Sequence, residues 1–100
     1  MIETIEKIQE WANARNIVTG STTHAQMLKL IEEVGELAGG IAKNKHDVIG
    51  DSVGDVVVVL TILCAQLGIS LPACVELAYN EIKDRKGEMR NGVFVKEEDL

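Results

Sequence analysis

Aromatic side chains are nearly missing from this 100-residue chain: one Trp, one Tyr and one Phe make up 3% of it. With 46% hydrophobic residues, a core has to be built from Val, Ile, Leu and Ala, a composition suited to packed helices. Basic residues are also scarce. Ten Lys and Arg against 16 Asp and Glu leave a net charge of -6, which disfavours grip on a nucleic-acid backbone. The two cysteines, Cys64 and Cys74, sit in apolar stretches and read as small buried hydrophobes, not as the disulfide framework of a secreted domain. No basic segment followed by an apolar one opens the chain, where Met1 to Lys7 is acidic and amphipathic. The most apolar run, Val56 to Leu67, is too short for a bilayer and carries Thr61 and Gln66. These absences predict a soluble, cytoplasmic protein with no nucleic-acid or membrane partner. Length excludes separate cofactor and substrate lobes, so residues 1–100 are expected to form one domain. Its core is marginal, which predicts homo-oligomerisation.

Ile2, Ile5, Ile8, Trp11 and Ala12 recur at three-to-four-residue spacing and predict a helix over residues 2–15. A connection follows, Asn16 to Ser21, and Thr23 stands three residues before Gln26 as in a capping box. The second helix, from Thr23 to about Ala42, carries the stripe Met27, Leu28, Leu30, Ile31, Val34, Leu37, Ala38 and Ile41. Residues 43–47 read as a polar loop. The run of four valines from Val56 favours strand on propensity, but the apolar stretch continuing to Leu67 is longer than an ordinary strand. A third helix from about Val48 to Leu67 is therefore predicted, ending at Gly68. Ser70 and Pro72 open a fourth helix that ends before Gly87. Asn91-Gly92 turns the chain into a short extended segment, Val93 to Val95, ahead of a mobile acidic end. The expected fold is all-α, a four-helix bundle with a short extended tail.

The chemistry lies in carboxylates. Glu32 and Glu36 are roughly 40° apart on one helix, Glu33 and Glu36 roughly 60°, and Asp51 and Asp55 roughly 40° on the next. Antiparallel packing across the loop at 43–47 brings the two clusters together. Converging carboxylates repel unless a cation neutralises them, and ligation without Cys or His points to Mg²⁺, with Mn²⁺ also suitable. Solvated helix faces and helix-dipole preference account for Asp51, but less well for Asp55, which precedes four valines. Neither His24 nor His46 completes a Glu-x-x-His pair, so a di-iron site is excluded. No Gly-rich phosphate loop is present. Phosphates would thus be held through metal and cations such as Lys83, Arg85 and Lys86, a cluster that a last helical turn also favours.

Leu30-Ile31-Glu32-Glu33-Val34-Gly35-Glu36-Leu37-Ala38 resembles the Glu-x-x-Glu helix of the MazG-like nucleotide pyrophosphohydrolases, members of the all-α NTP pyrophosphohydrolase superfamily. Ile49-Gly50-Asp51-Ser52-Val53-Gly54-Asp55-Val56 is similar to their second acidic motif. The flanks Trp11 to Asn16 and Tyr79 to Gly87 are similar to the short single-domain members. The resemblance implies a four-helix fold that forms a dimer or dimer of dimers. It also implies Mg²⁺-dependent hydrolysis of a ribo- or deoxyribonucleoside triphosphate to monophosphate and pyrophosphate. By matching position, Glu33, Glu36 and Asp55 would be metal ligands, and Glu32 would bind metal or position water. Glu32 or Glu36 would be the catalytic base. Lys83 and Arg85 would steady the phosphates, Asn80 would bind the substrate with them, and Trp11, Asn16 and Gln26 would contact the nucleotide's base. One position departs: the family's second motif usually has Glu where this chain has Ser52, and Asp51 is the expected substitute.

A rival reading makes the chain a non-catalytic helical oligomerisation module, with acidic residues serving solubility alone. It predicts no coupling between divalent ions and stability, whereas a real site is stabilised by the ion it binds. A helix-turn-helix reading of the Ile17 to Leu37 region fails because Glu32, Glu33 and Glu36 would face phosphates.

Overall fold

The computed structural model describes residues 1–100. Its elements are α1 (Ile2–Ala14), α2 (Ile17–Gly20), α3 (Thr23–Ala42), α4 (His46–Leu67), α5 (Leu71–Ile82), β1 (Gly87–Arg90), β2 (Val93–Lys96) and a 3₁₀ turn over Glu97–Asp99. The all-α expectation with a short extended tail holds. Four details differ. The connection after α1 winds into the single turn α2, because Asn16 adopts a left-handed φ of 59° and its carbonyl accepts from the Gly20 N–H at 2.9 Å. The cap of α3 is Thr22, whose hydroxyl accepts from the Ala25 N–H at 3.0 Å, not Thr23. Gln26 does not reach back to close a capping box; its side-chain amide donates to Ser21 Oγ at 2.9 Å. And α4 begins at His46, two residues before the expected start.

The largest difference is at the C-terminus. Helix α5 stops at Ile82, and Gly87 opens a strand paired antiparallel with β2, Gly87 opposite Lys96 and Arg90 opposite Val93. Asn91 and Gly92, with φ of 52° and 80°, form the two-residue turn whose twist suits a hairpin. Gly87 is required: a Cβ there would run into the Val95 carbonyl and the Phe94 ring. The acidic end, expected to be mobile, folds back as the 3₁₀ turn, where the Glu97 N–H donates to the Lys86 carbonyl at 2.8 Å.

Tertiary packing overrides the strand propensity of the valines. Helix α4 lies centrally, chiefly against α3, with α1, α2 and α5 also touching it. Val59, Thr61, Ile62 and Cys64 of α4 and Ile5 and Ala12 of α1 are buried. Gln66 ties α4 to α2 through the Val18 carbonyl at 3.3 Å. Close approach of α3 and α4 depends on Gly40, where a Cβ would stand 3.1 Å from Val48 Cγ1 and 3.2 Å from Ile49 Cγ1.

Helix α3 carries two stripes one residue out of phase. Gln26, Glu33 and Gly40 are buried, and Leu30 and Leu37 between them are half-buried. Met27, Ile31, Val34, Ala38 and Ile41 repeat at alternating four- and three-residue steps and are all exposed. Helix α5 buries no residue, and its Val75, Leu77, Tyr79 and Ile82 are exposed. The chain exposes 7336 Å², against the roughly 5,600 Å² of a compact monomer of this mass. Its radius of gyration is 16.4 Å, against about 13 Å for a compact 100-residue domain.

Candidate metal and nucleotide site

The inner stripe of α3 carries Glu33 into the packed face and leaves Glu32 and Glu36 beside it in solvent. One carboxylate oxygen from each of the three lies within 4.8 Å of the others. Glu33 is only 6% exposed. Its Oε1 is 3.4 Å from Lys29 Nζ, which also lies 3.6 Å from Glu32. Its Oε2 is buried with no hydrogen-bond partner, a situation that typically costs about 1–3 kcal/mol or more for a polar group.

Asp55, from α4, stands outside that tight trio, yet the two helices bring their charges within mutual influence. Burial first, then the charges of Asp51 and Glu33, push the Asp55 carboxyl above its ordinary range. The Glu33 carboxylate first, then desolvation, raises Glu36 in the same sense. Asp51 is exposed and acts on Asp55 through its charge. Ser52 is 2% exposed, so the position that departs from the family motif faces inward beside Asp55. The donor set is carboxylate throughout, with one oxygen orphaned, and this fits a hard divalent cation such as Mg²⁺ or Mn²⁺.

Trp11 stands between two cavities. One, of about 320 Å³, is lined by Ile17, Gln26, Lys29, Val58 and Ile62 among others; the other, of about 370 Å³, is lined by Thr4, Lys7, Ile8, Val58 and Asp55. The indole is 44% exposed and carries the Arg15 guanidinium 4.8 Å from its ring centroid. Trp11 and Gln26 are thus brought to the edge of the carboxylate site, through Lys29 on one side and Asp55 on the other. Asn16 borders neither cavity; its side chain accepts from Thr19 Oγ1 within the α2 turn. Asn80, Lys83 and Arg85 are exposed at the end of α5, line neither cavity and form no ion pair with the site. The sequence reading passed over Lys29, although its i,i+3 and i,i+4 spacing to Glu32 and Glu33 was a usable signal.

Fold and site together define an all-α domain that gathers carboxylates from two antiparallel helices beside an apolar cavity. Residues 21–89 match the MazG nucleotide pyrophosphohydrolase domain, and the chain belongs to that family of nucleotide hydrolases, which is typically metal-dependent. The chain is also 55% identical, over 62 residues, to an uncharacterized 18.2 kDa protein in the rep-hol intergenic region of Haemophilus phage HP1 (strain HP1c1). That stretch covers 62% of this chain and 38% of the phage protein.

Proposed function

We propose that this protein is a Mg²⁺-dependent nucleoside triphosphate pyrophosphohydrolase, converting a ribo- or deoxyribonucleoside triphosphate and water to the monophosphate and pyrophosphate. The observation that carries the reading is the orphaned, buried oxygen of Glu33 within the trio Glu32, Glu33 and Glu36. Lys29 offsets only part of the charge that these carboxylates gather, and a divalent cation would offset the rest. Glu33, Glu36 and Asp55 would hold the ion, with Asp51 assisting in place of the glutamate absent at Ser52. When bound, the ion supplies charge neutralisation along the triphosphate and acidifies nearby water. Glu36, or Glu32 beside it, takes the proton of the attacking water. The new bond forms at the α-phosphorus, and the bond to the bridging oxygen breaks to release pyrophosphate. Trp11 offers a flat apolar face to the base and Gln26 a polar edge. Lys83 and Arg85 are the candidates for phosphate contacts, with Asn80 a further substrate-binding candidate.

The exposed stripe of α3 and the exposed face of α5 support assembly as a homodimer or dimer of dimers, because a monomer leaves both in water. Helix α4, with its 22 residues, is long and apolar enough to cross a membrane, but Asp51, Asp55, Thr61 and Gln66 along it favour a core helix of a soluble protein, for which a cytoplasmic setting is our proposal.

The test is product analysis by ion-exchange chromatography after incubation with Mg²⁺ and each common triphosphate, alongside Glu36→Gln. Monophosphate plus pyrophosphate from the wild type, lost in the variant, is the expected result. Diphosphate plus phosphate would overturn the pyrophosphohydrolase assignment. No turnover, together with no Mg²⁺-dependent rise in Tm, would leave the helical oligomerisation module as the better reading.

A further inference from the structure

A third cavity, a cleft of about 250 Å³, opens at the turn between α3 and α4 and is lined by Glu36, Gly39, Gly40, Lys43, Lys45 and Val48. It shares Glu36 with the carboxylate trio, so it adjoins the metal site on the side away from Trp11. Neither lysine takes part in any of the chain's ion pairs. Their backbone is pinned. Asn44 sits at a left-handed φ of 53°, its N–H donates to the Ile41 carbonyl at 3.1 Å, and the Lys45 N–H donates to the Gly40 carbonyl at 2.9 Å. This double bond pattern is the Schellman closure of a helix end. Gly39 leaves open space where a side chain would stand. Lys45 precedes α4 without a side-chain cap, and Val48 of the first turn forms part of the wall, so the positive end of a 22-residue helix adds to the two ammonium groups. The acidic residue of that turn, Asp47, does not line the cleft.

Two lysines that join no ion pair and line the same cleft as Glu36 suit an anion that must approach the carboxylates. On the reading that a triphosphate is cleaved at its α-phosphorus, we propose that this cleft is a diphosphate subsite. Lys43 and Lys45 hold the two terminal phosphates of the substrate, and the pyrophosphate they become, against the Glu36 edge of the site. Negative charge accumulates on that group as the bond to the α-phosphorus breaks, and a lysine ammonium, a mobile point charge, follows it without demanding one planar geometry.

The experiment is titration calorimetry of inorganic pyrophosphate with Mg²⁺ on the whole chain. The wild type is compared with Lys43→Gln/Lys45→Gln and Lys83→Gln/Arg85→Gln, thermal melts checking that each variant folds. The expected result is weakening of pyrophosphate binding on the order of tenfold or more in Lys43→Gln/Lys45→Gln, with nucleoside monophosphate binding unchanged. In turnover, that variant shows a raised KM and relief of product inhibition by pyrophosphate. Unaltered pyrophosphate affinity, equal weakening of monophosphate, or loss confined to Lys83→Gln/Arg85→Gln would overturn the subsite. Pyrophosphate binding that depends on Lys43 and Lys45 without turnover of any triphosphate would sink the cleavage reading and keep the subsite. Turnover with unchanged KM and inhibition in Lys43→Gln/Lys45→Gln would do the reverse.

Discussion

Lys29 holds its ammonium 3.4 Å from one oxygen of Glu33, one helical turn away, while the other oxygen of that carboxylate stays buried without a donor. The lysine balances part of the charge that a metal ion would balance fully. Glu32 first, and then Glu33, accordingly raises the Lys29 pKa.

Lys29 therefore competes with a divalent ion for Glu33. Lys29→Met is expected to tighten Mg²⁺ or Mn²⁺ binding by about threefold, the modest effect suited to a solvent-exposed cation. Its Tm in chelator should fall. Calorimetric metal titration and thermal melts measure both, and weaker metal binding in the variant would contradict the competition.

Stability without metal should depend on pH through Asp55 and Glu36. Both carboxyls have folded-state pKa values above their unfolded ones. The stability linked to their protonated forms is thus fully present below about pH 4 and lost as pH rises through the raised folded values. In chelator, Asp55→Asn should melt higher than the wild type at neutral pH, and the difference should vanish near pH 4. The same variant should lose turnover, so that stability and function move in opposite directions.

Ser52→Glu restores the residue usual in the family motif at an inward-facing position 2% exposed. In chelator it should lower Tm, because a further carboxylate is buried beside Asp55. Saturating Mg²⁺ should recover most of that loss by binding the native state. An equal loss with and without metal would show that position 52 does not face the ion.

Local packing gives three graded expectations, each readable from denaturant unfolding. Gly40→Val overfills the α3–α4 contact and should cost about 1–3 kcal/mol. Thr22→Ala removes the α3 cap and should cost about 1 kcal/mol. Gly50→Ala, exposed on α4 with open space at its Cβ, should gain about 0.5–1 kcal/mol.

The exposed stripe Met27, Ile31, Val34, Ala38 and Ile41 should be buried between copies. Ile31, 63% exposed in the single chain, lies at its middle. Ile31→Asp should shift the species seen by light scattering after size exclusion toward monomer, while a wild type already monomeric would sink the proposed assembly.

Much of this molecule was legible in the order of its residues. Periodicity located α1, α3, α4 and α5, because a 3.6-residue repeat of aliphatic side chains can bury itself only as a helix face. The spacing of Glu32, Glu33 and Glu36 put their carboxylates on neighbouring positions of one turn, which the backbone enforces wherever the helix lies. Tertiary structure decided the rest. Only packing against α4 separates buried Glu33 from exposed Glu32, since the two are adjacent in sequence and alike in chemistry. Only the hairpin's cross-strand contacts turn Gly87 from a helix stop into a strand residue, because its lack of a Cβ matters once Phe94 and Val95 close over it. And only the turn around Asn44 puts Lys43 and Lys45 on the wall of the same cleft as Glu36, since that grouping depends on where two helices cross and not on any local preference.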